Sequence, residues 1–230
     1  MALRLEELGA ERQRIQISPS GANPSLFHGS QPCQSPPLLL AVGRFVAKKG
    51  PLLTLRAFQL CLQRADVSPL PQLWMVGEGP LLAEARRFVV QHQLQNHVVF
   101  AGVCSQEQVA ERMRQVRAFV QHSIVAPDGD SEGSPVAVME AQLSGLPVIA
   151  TRHAGIPDVV VDGATGLLVE EGDVDAMAQA MLTLLAEPML AQKLGEAGQR
   201  RALQHFTVEH HLRDVTELLL RVSSAARALS

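Results

Sequence analysis

From residue 38 onward, short apolar runs alternate with longer amphipathic ones, and this alternation constrains the fold more than any other feature. "LLLAVG" (38–43), "QLWMVG" (72–77), "HVVFAG" (97–102), "RAFVQHS" (117–123) and "LPVIAT" (146–151) have the length and content of strands. Between them lie "PLLTLRAFQLCLQRA" (51–65), "PLLAEARRFVVQHQL" (80–94), "SQEQVAERMRQ" and the run after Pro135, all helical in spacing. Strands that are apolar almost throughout are covered on both faces, and the strand–helix–strand order makes them parallel. The fold class is α/β: one parallel sheet with helices on both sides. "TGLLV" (165–169) is a marginal sixth strand.

Local signals fix some boundaries. Pro80 suits a first helical turn, and Ser105 with Gln108 has the spacing of a capping box. The last sixty residues read as three helices, the third running from about Thr207 to the C-terminus. The first 37 residues stand outside the alternation. They hold a short amphipathic start, a strand-like "RIQIS" (14–18), and a run rich in Pro, Ser and Gly (18–37). The chain therefore divides into a linker-like 1–37, an α/β domain over 38–205 and a closing helix over 206–230.

Composition excludes several classes. A net charge of -3 argues against a general binder of nucleic acid or anionic membranes. Aromatics are only 3% with no Tyr, too few to stack single-stranded bases. Any anion bound here must be held by a local arrangement. Cys33, Cys61 and Cys104 have neither metal-ligand nor redox spacing, which reads as reduced thiols in a cytoplasmic chain. The start "MALRLEELGAERQRIQ" is no signal peptide, and no apolar run is long enough to cross a bilayer.

In doubly wound sheets, ligands sit at the carboxyl ends of the strands. There the sequence places "GRFVAKKG" with Arg44, Lys48 and Lys49, then "GEGP" (77–80), "HSIVAPDGDSEGSP" and "TRHAGIPD". Ser134 is the expected N-cap of the helix after the fourth strand, with Pro135 its first residue. A helix start attracts phosphate through free N–H groups and its dipole. Glu132 precedes that start and Glu140 lies five residues beyond it, about 7.5 Å along the axis. Carboxylates accept hydrogen bonds from vicinal hydroxyls, so two acids flanking an anion site suit hydroxyls, a charged middle, then more hydroxyls. A nucleotide sugar has that layout. Arg44 and Lys49 would neutralise its diphosphate.

Rival readings are weaker. "DGDSEG" imitates the start of a calcium loop, but its twelfth position is Met139 and Pro135 falls inside it. "GEGPLL" has Leu82 where a dinucleotide fingerprint needs its third Gly. His205, His210 and His211 lack ligand-like partners, and His153 reads as a loop residue beside the presumed cleft. No phosphate loop ending in Gly-Lys-Ser/Thr is present.

The E-x7-E pair, "VGRFVAKKG", "MVGEGP", "VVFAG", "SGLPVIATRHAGIPDVVVDGATGLLV" and the closing helices together resemble the C-terminal half of a retaining glycosyltransferase. The family is the large GT-B family 4, which includes sugar transferases of bacterial envelope and exopolysaccharide synthesis. The resemblance covers roughly residues 15–225. It implies a Rossmann-like domain that binds a UDP- or GDP-linked sugar without metal or other cofactor. It assigns catalysis to Arg44, Lys49 and Glu132, and donor contacts to these with Gly43, Gly77, Val103, Gly133, Ser134, Pro135, Val136 and Glu140. Departures are Asp158, where Glu is usual, and His122, where Pro is usual. Family members have an acceptor-binding half first. Residues 1–37 resemble its end, so that half is expected to be missing, supplied by another chain or absent from a fragment. The full-length enzyme would be cytoplasmic or peripheral at the inner membrane. A binding module without catalysis, and an epimerase of the same architecture, remain as alternatives.

Overall fold

The computed structural model of the chain describes residues 2–133 and 135–228. In chain order the elements are α1 (Ala2–Glu7), β1 (Leu38–Val42), α2 (Pro51–Arg64), β2 (Gln72–Val76), α3 (Leu82–Gln91), β3 (Val98–Gly102) and α4 (Gln106–Met113). There follow β4 (Ala118–Gln121), α5 (Val136–Ser144), β5 (Val148–Thr151), α6 (Ile156–Val159), β6 (Gly166–Val169), α7 (Val174–Ala186), α8 (Pro188–His205) and α9 (Val208–Ala228). All six strands form one parallel sheet in the order β3-β2-β1-β4-β5-β6. The chain winds outward from β1 to one edge, then returns to build the other. Between β1 and β4 the loops leave in opposite directions, and a crevice opens there.

The pleat sorts the apolar strand residues into two cores. Leu39, Leu73, Val120 and Ile149 face α2, α3 and α7, meeting Leu55, Phe58, Met177 and Leu184. Their neighbours Leu40, Phe119 and Val148 face the other way, onto Met113 of α4, Val138, Met139 and Leu143 of α5, and Ala202 of α8. Each fully buried side chain of this size contributes roughly 1.5–3 kcal/mol. α5 is covered on every side, with Val138 through Ser144 all buried. Its residues are mostly apolar, as a helix enclosed by protein requires, with Glu140, Gln142 and Ser144 the buried polar exceptions. It runs through the core with its N-terminus at the crevice.

Ser105 and Gln108 form the reciprocal capping box that starts α4. The marginal sixth strand is present as β6 and closes one edge. "RIQIS" forms no strand: residues 12–14 make a single 3-10 turn and Ile17 is 62% exposed. Both sheet edges lie elsewhere, so nothing offers that segment a ladder. Residues 22–37 lie against the domain, with Phe27 buried, Ala22 bridged to Thr207, and buried Arg117 donating to the carbonyls of Ser35 and Leu185. No helix among the described residues is long and apolar enough to cross a membrane.

Candidate functional site

Lys49 ends a one-turn 3-10 helix, Ala47–Lys49, that drops from β1 toward β4. Gly50 stops it at φ +52°, and a Cβ there would lie 2.0 Å from the His122 carbonyl oxygen. Only glycine allows so close an approach of the two loops. The Ile124 N–H donates to the Lys48 carbonyl at 3.0 Å and locks them together. Behind them the β1 and β2 ends meet backbone to backbone. Gly43 N–H donates to Val76 O at 3.0 Å, and a Cβ on Gly77 (φ +128°) would sit 2.1 Å from Gly43 O.

This geometry brings the basic loop onto the acids. Lys49 Nζ donates to Glu132 Oε2 at 3.0 Å, with the side chains 19% and 7% exposed. The second oxygen of Glu132, Oε1, is buried without a hydrogen-bond partner among the described residues. Glu140 is also buried, and burial pushes its carboxyl up to about 7 although Lys49 pulls it down. One ammonium thus acts on both acids. The aliphatic chain of Lys49 covers Gly43, and a cavity of about 30 Å³ lies beside it, lined by Val42, Gly43, Arg44, Lys49, Thr54 and Gln121 among others. Arg44 is exposed, and its guanidinium makes no hydrogen bond or ion pair among the described residues. Lys48 turns away to Asp130 Oδ1 at 3.0 Å and Ser131 O at 3.2 Å.

α5 begins at Val136, one residue later than expected. Pro135 takes the N-cap position with non-helical ψ 74°, and its carbonyl accepts from the N–H groups of Val138 and Met139. The N–H groups of Val136 and Ala137 point out of the open end. Ser134, the expected cap, lies outside the described residues. The turn after β5 closes over the preceding loop, since a Cβ on Gly155 would come within 2.8 Å of Gly133 O. Gly43, Arg44 and Lys49 line the cavity, Gly77 backs onto Gly43, Lys49 meets Glu132 and acts on Glu140, and Gly133, Pro135 and Val136 lead from Glu132 into α5. Val103, 70% exposed, follows Gly102 at the end of edge strand β3, and the Gly102 carbonyl accepts the Gly77 N–H at 2.8 Å.

Sequence reasoning passed over three groups at the back of this crevice. His153, 1% exposed, accepts the Glu132 N–H at Nε2 (3.0 Å). Its Nδ1 lies 2.6 Å from Glu171 Oε1, and Glu171 Oε2 accepts the Val125 N–H at 2.9 Å. Burial raises the Glu171 carboxyl, but the hydrogen bonds from His153 and Val125 outweigh it and leave the group lowered. His122 accepts the Gly172 N–H at 3.1 Å, and burial drives its ring down to about 4 against the upward pull of Asp173 and Glu171. The position of His153, directly after a strand end on the ligand rim, was the available signal. Glu171 sends none.

The fold defines a class: the C-terminal half of the GT-B architecture. It superposes on the Anabaena protein HepE, solved in complex with UDP and glucose, with TM-score 0.81 and 19% identity over 96% of this chain and 60% of that one. It also superposes on the C-terminal domain of a glycosyl transferase group 1 family protein, LpcC of Francisella tularensis. There the TM-score is 0.69 and identity 21%, over 82% of this chain and 100% of that domain. Residues 26–201 match the family model for glycosyl transferases group 1, and the chain belongs to that family. The putative colanic acid biosynthesis glycosyltransferase WcaL of Escherichia coli K12 is 33% identical over 181 residues, 77% of this chain and 44% of WcaL. The chain spans about half the length of the curated relatives it matches.

Proposed function

We propose that this domain holds the sugar donor of a retaining glycosyltransferase. The donor is a sugar linked to UDP or GDP, and the acceptor is a hydroxyl of a growing envelope or extracellular polysaccharide in the cytoplasm. One observation carries this reading: at the switch point, Lys49 is paired to a buried Glu132 that keeps a second oxygen unsatisfied. A buried acceptor without a partner is costly, and a sugar hydroxyl supplies the missing donor. A diphosphate entering beside Lys49 meets the ammonium, the free guanidinium of Arg44 and the N-terminus of α5. When the anomeric carbon–oxygen bond breaks, those groups stabilise charge on the departing diphosphate, the place a metal ion takes in other designs. Glu140 takes the ribose hydroxyls. The likeness to WcaL, named for colanic acid biosynthesis, supports the polysaccharide assignment, and the shared fold of HepE, solved with UDP and glucose, supports the nucleotide sugar. The acceptor site belongs to an N-terminal half, in the same or another polypeptide.

Calorimetric titration of the chain with UDP-glucose, UDP-N-acetylglucosamine and GDP-mannose tests the assignment. One donor should bind, and Arg44→Ala or Lys49→Ala should weaken it roughly tenfold or more, the loss typical of a charge-assisted hydrogen bond. No binding by any donor at millimolar concentration, or variants that bind as wild type does, would overturn it.

A further inference from the structure

Glu171 and His153 lie outside the donor contacts described above, yet they grip both ends of the loop that carries Glu132. The Glu171 carboxylate accepts the Val125 N–H with one oxygen, near the start of the loop. Its other oxygen faces His153 Nδ1 at 2.6 Å, and His153 Nε2 accepts the Glu132 N–H at 3.0 Å, at the loop's end. The second contact fixes the ring's protons. Nε2 accepts, so it is bare, and the proton sits on Nδ1 and points at Glu171. The supporting turn is fixed in its own right: Gly172, at φ +78°, donates its N–H to buried His122.

We infer that Glu171 and His153 are positioning residues: a carboxylate–imidazole relay that sets the backbone of Glu132, and through it the fit of the donor's sugar. This inference rests on the donor-site reading for its ligand, but not for its geometry. The ring can hold the Glu132 amide only while a hydrogen-bond acceptor faces Nδ1. A carboxylate presents an acceptor on both sides at once, to Val125 and to His153. An amide of the same shape presents one. Glu171→Gln must therefore give up the Val125 contact or turn its NH2 toward His153. The second choice moves the ring proton to Nε2, where it opposes the Glu132 N–H. Either way one end of the loop comes free while side-chain volume is conserved.

Two measurements separate the relay from the ligand. Nitrogen-15 NMR of the imidazole reads the tautomer, and amide hydrogen exchange reads the Val125 and Glu132 N–H bonds. In wild type the ring should be protonated at Nδ1 with both amides protected, and Glu171→Gln should lose the tautomer or one protected amide. Titration with UDP-glucose and bare UDP, or with GDP-mannose and bare GDP, then gives the functional readout. The sugar-bearing ligand should bind roughly tenfold more weakly to Glu171→Gln, with the bare nucleotide unchanged, because Glu132 serves the sugar and not the base. His153→Gln, whose side-chain oxygen reaches toward the Nε2 position, should recover part of the affinity that His153→Ala loses. An unchanged tautomer with both amides still protected in Glu171→Gln overturns the relay, whatever binds. Equal weakening of sugar and bare nucleotide overturns the positioning role. If wild type binds no ligand, the donor reading falls, and the NMR arm still decides the relay.

Discussion

At the scale of single residues, Glu140 has a charge problem created by its own helix. Glu140 lies in the stretch Val138–Ser144 of α5, which is buried throughout, so its carboxylate is desolvated, and its pKa rises from 4.5 to about 7. The native state then binds more protons than the unfolded chain between those values, and stability falls as pH climbs through that window by up to roughly 3 kcal/mol. His122 acts with the opposite sign. Its ring moves from 6.5 down to about 4, so the native state binds fewer protons and stability is lost as pH falls through that range. The two slopes offset each other where they overlap. Glu140→Gln removes one of them, and its urea-unfolding free energy should gain on wild type by roughly 3 kcal/mol between about pH 4 and about pH 8. Parallel pH profiles for the two proteins would refute the desolvation argument. The basic loop was legible because it follows a strand end closely, and the acids because they flank the start of the helix after Pro135. The His153–Glu171 contact was not, because it joins loops after β5 and β6 that only the folded sheet brings side by side.

At the scale of elements, most strands and helices announced themselves through periodicity, and the capping box of α4 through two residues. What escaped was set by neighbours. Helix α5 starts at Val136 because Pro135 keeps a non-helical ψ, and "RIQIS" stays irregular because no sheet edge reaches it. Glycine separates local from tertiary constraint within this one chain. Gly163 has φ +69° with open space around its missing side chain, whereas Gly50 has φ +52° and the His122 carbonyl 2.0 Å from where a Cβ would sit. Gly163→Ala should cost only the left-handed strain, about 1–2 kcal/mol. Gly50→Ala adds a backbone collision and should cost about 3 kcal/mol or more while parting Lys49 from Glu132. Calorimetric melting should show a drop of roughly 2–5 °C for the first and at least twice that for the second. Equal drops would mean that the β1 and β4 loops yield easily and do not hold the crevice.

At the scale of the whole molecule, strand order was beyond the sequence, which shows parallel runs but not which neighbours pair. That order places Lys49 against Glu132, so the crevice belongs to the topology and not to any one motif. The last helix presents an apolar surface to solvent. In α9, every residue from Thr216 to Val222 is exposed, including Leu219 at 61%, Leu220 at 63% and Val222 at 60%. Its tethers to the rest of the chain include Arg221 to Gln16 and His211 to Ser18. A helix of this kind gains little from packing and is marginal in water alone. Its clustered leucines are the sort of surface that another protein face covers. The chain by itself should therefore self-associate as concentration rises. Leu219→Asp with Leu220→Asp should abolish that association, and because both side chains are exposed, the melting temperature should move by no more than about 2 °C. Sedimentation equilibrium across a concentration series reads the first effect and calorimetry the second. A wild-type chain that stays monomeric throughout shows that this surface drives no self-association. A double variant that melts far lower shows that α9 packs on its own domain more tightly than its exposure indicates.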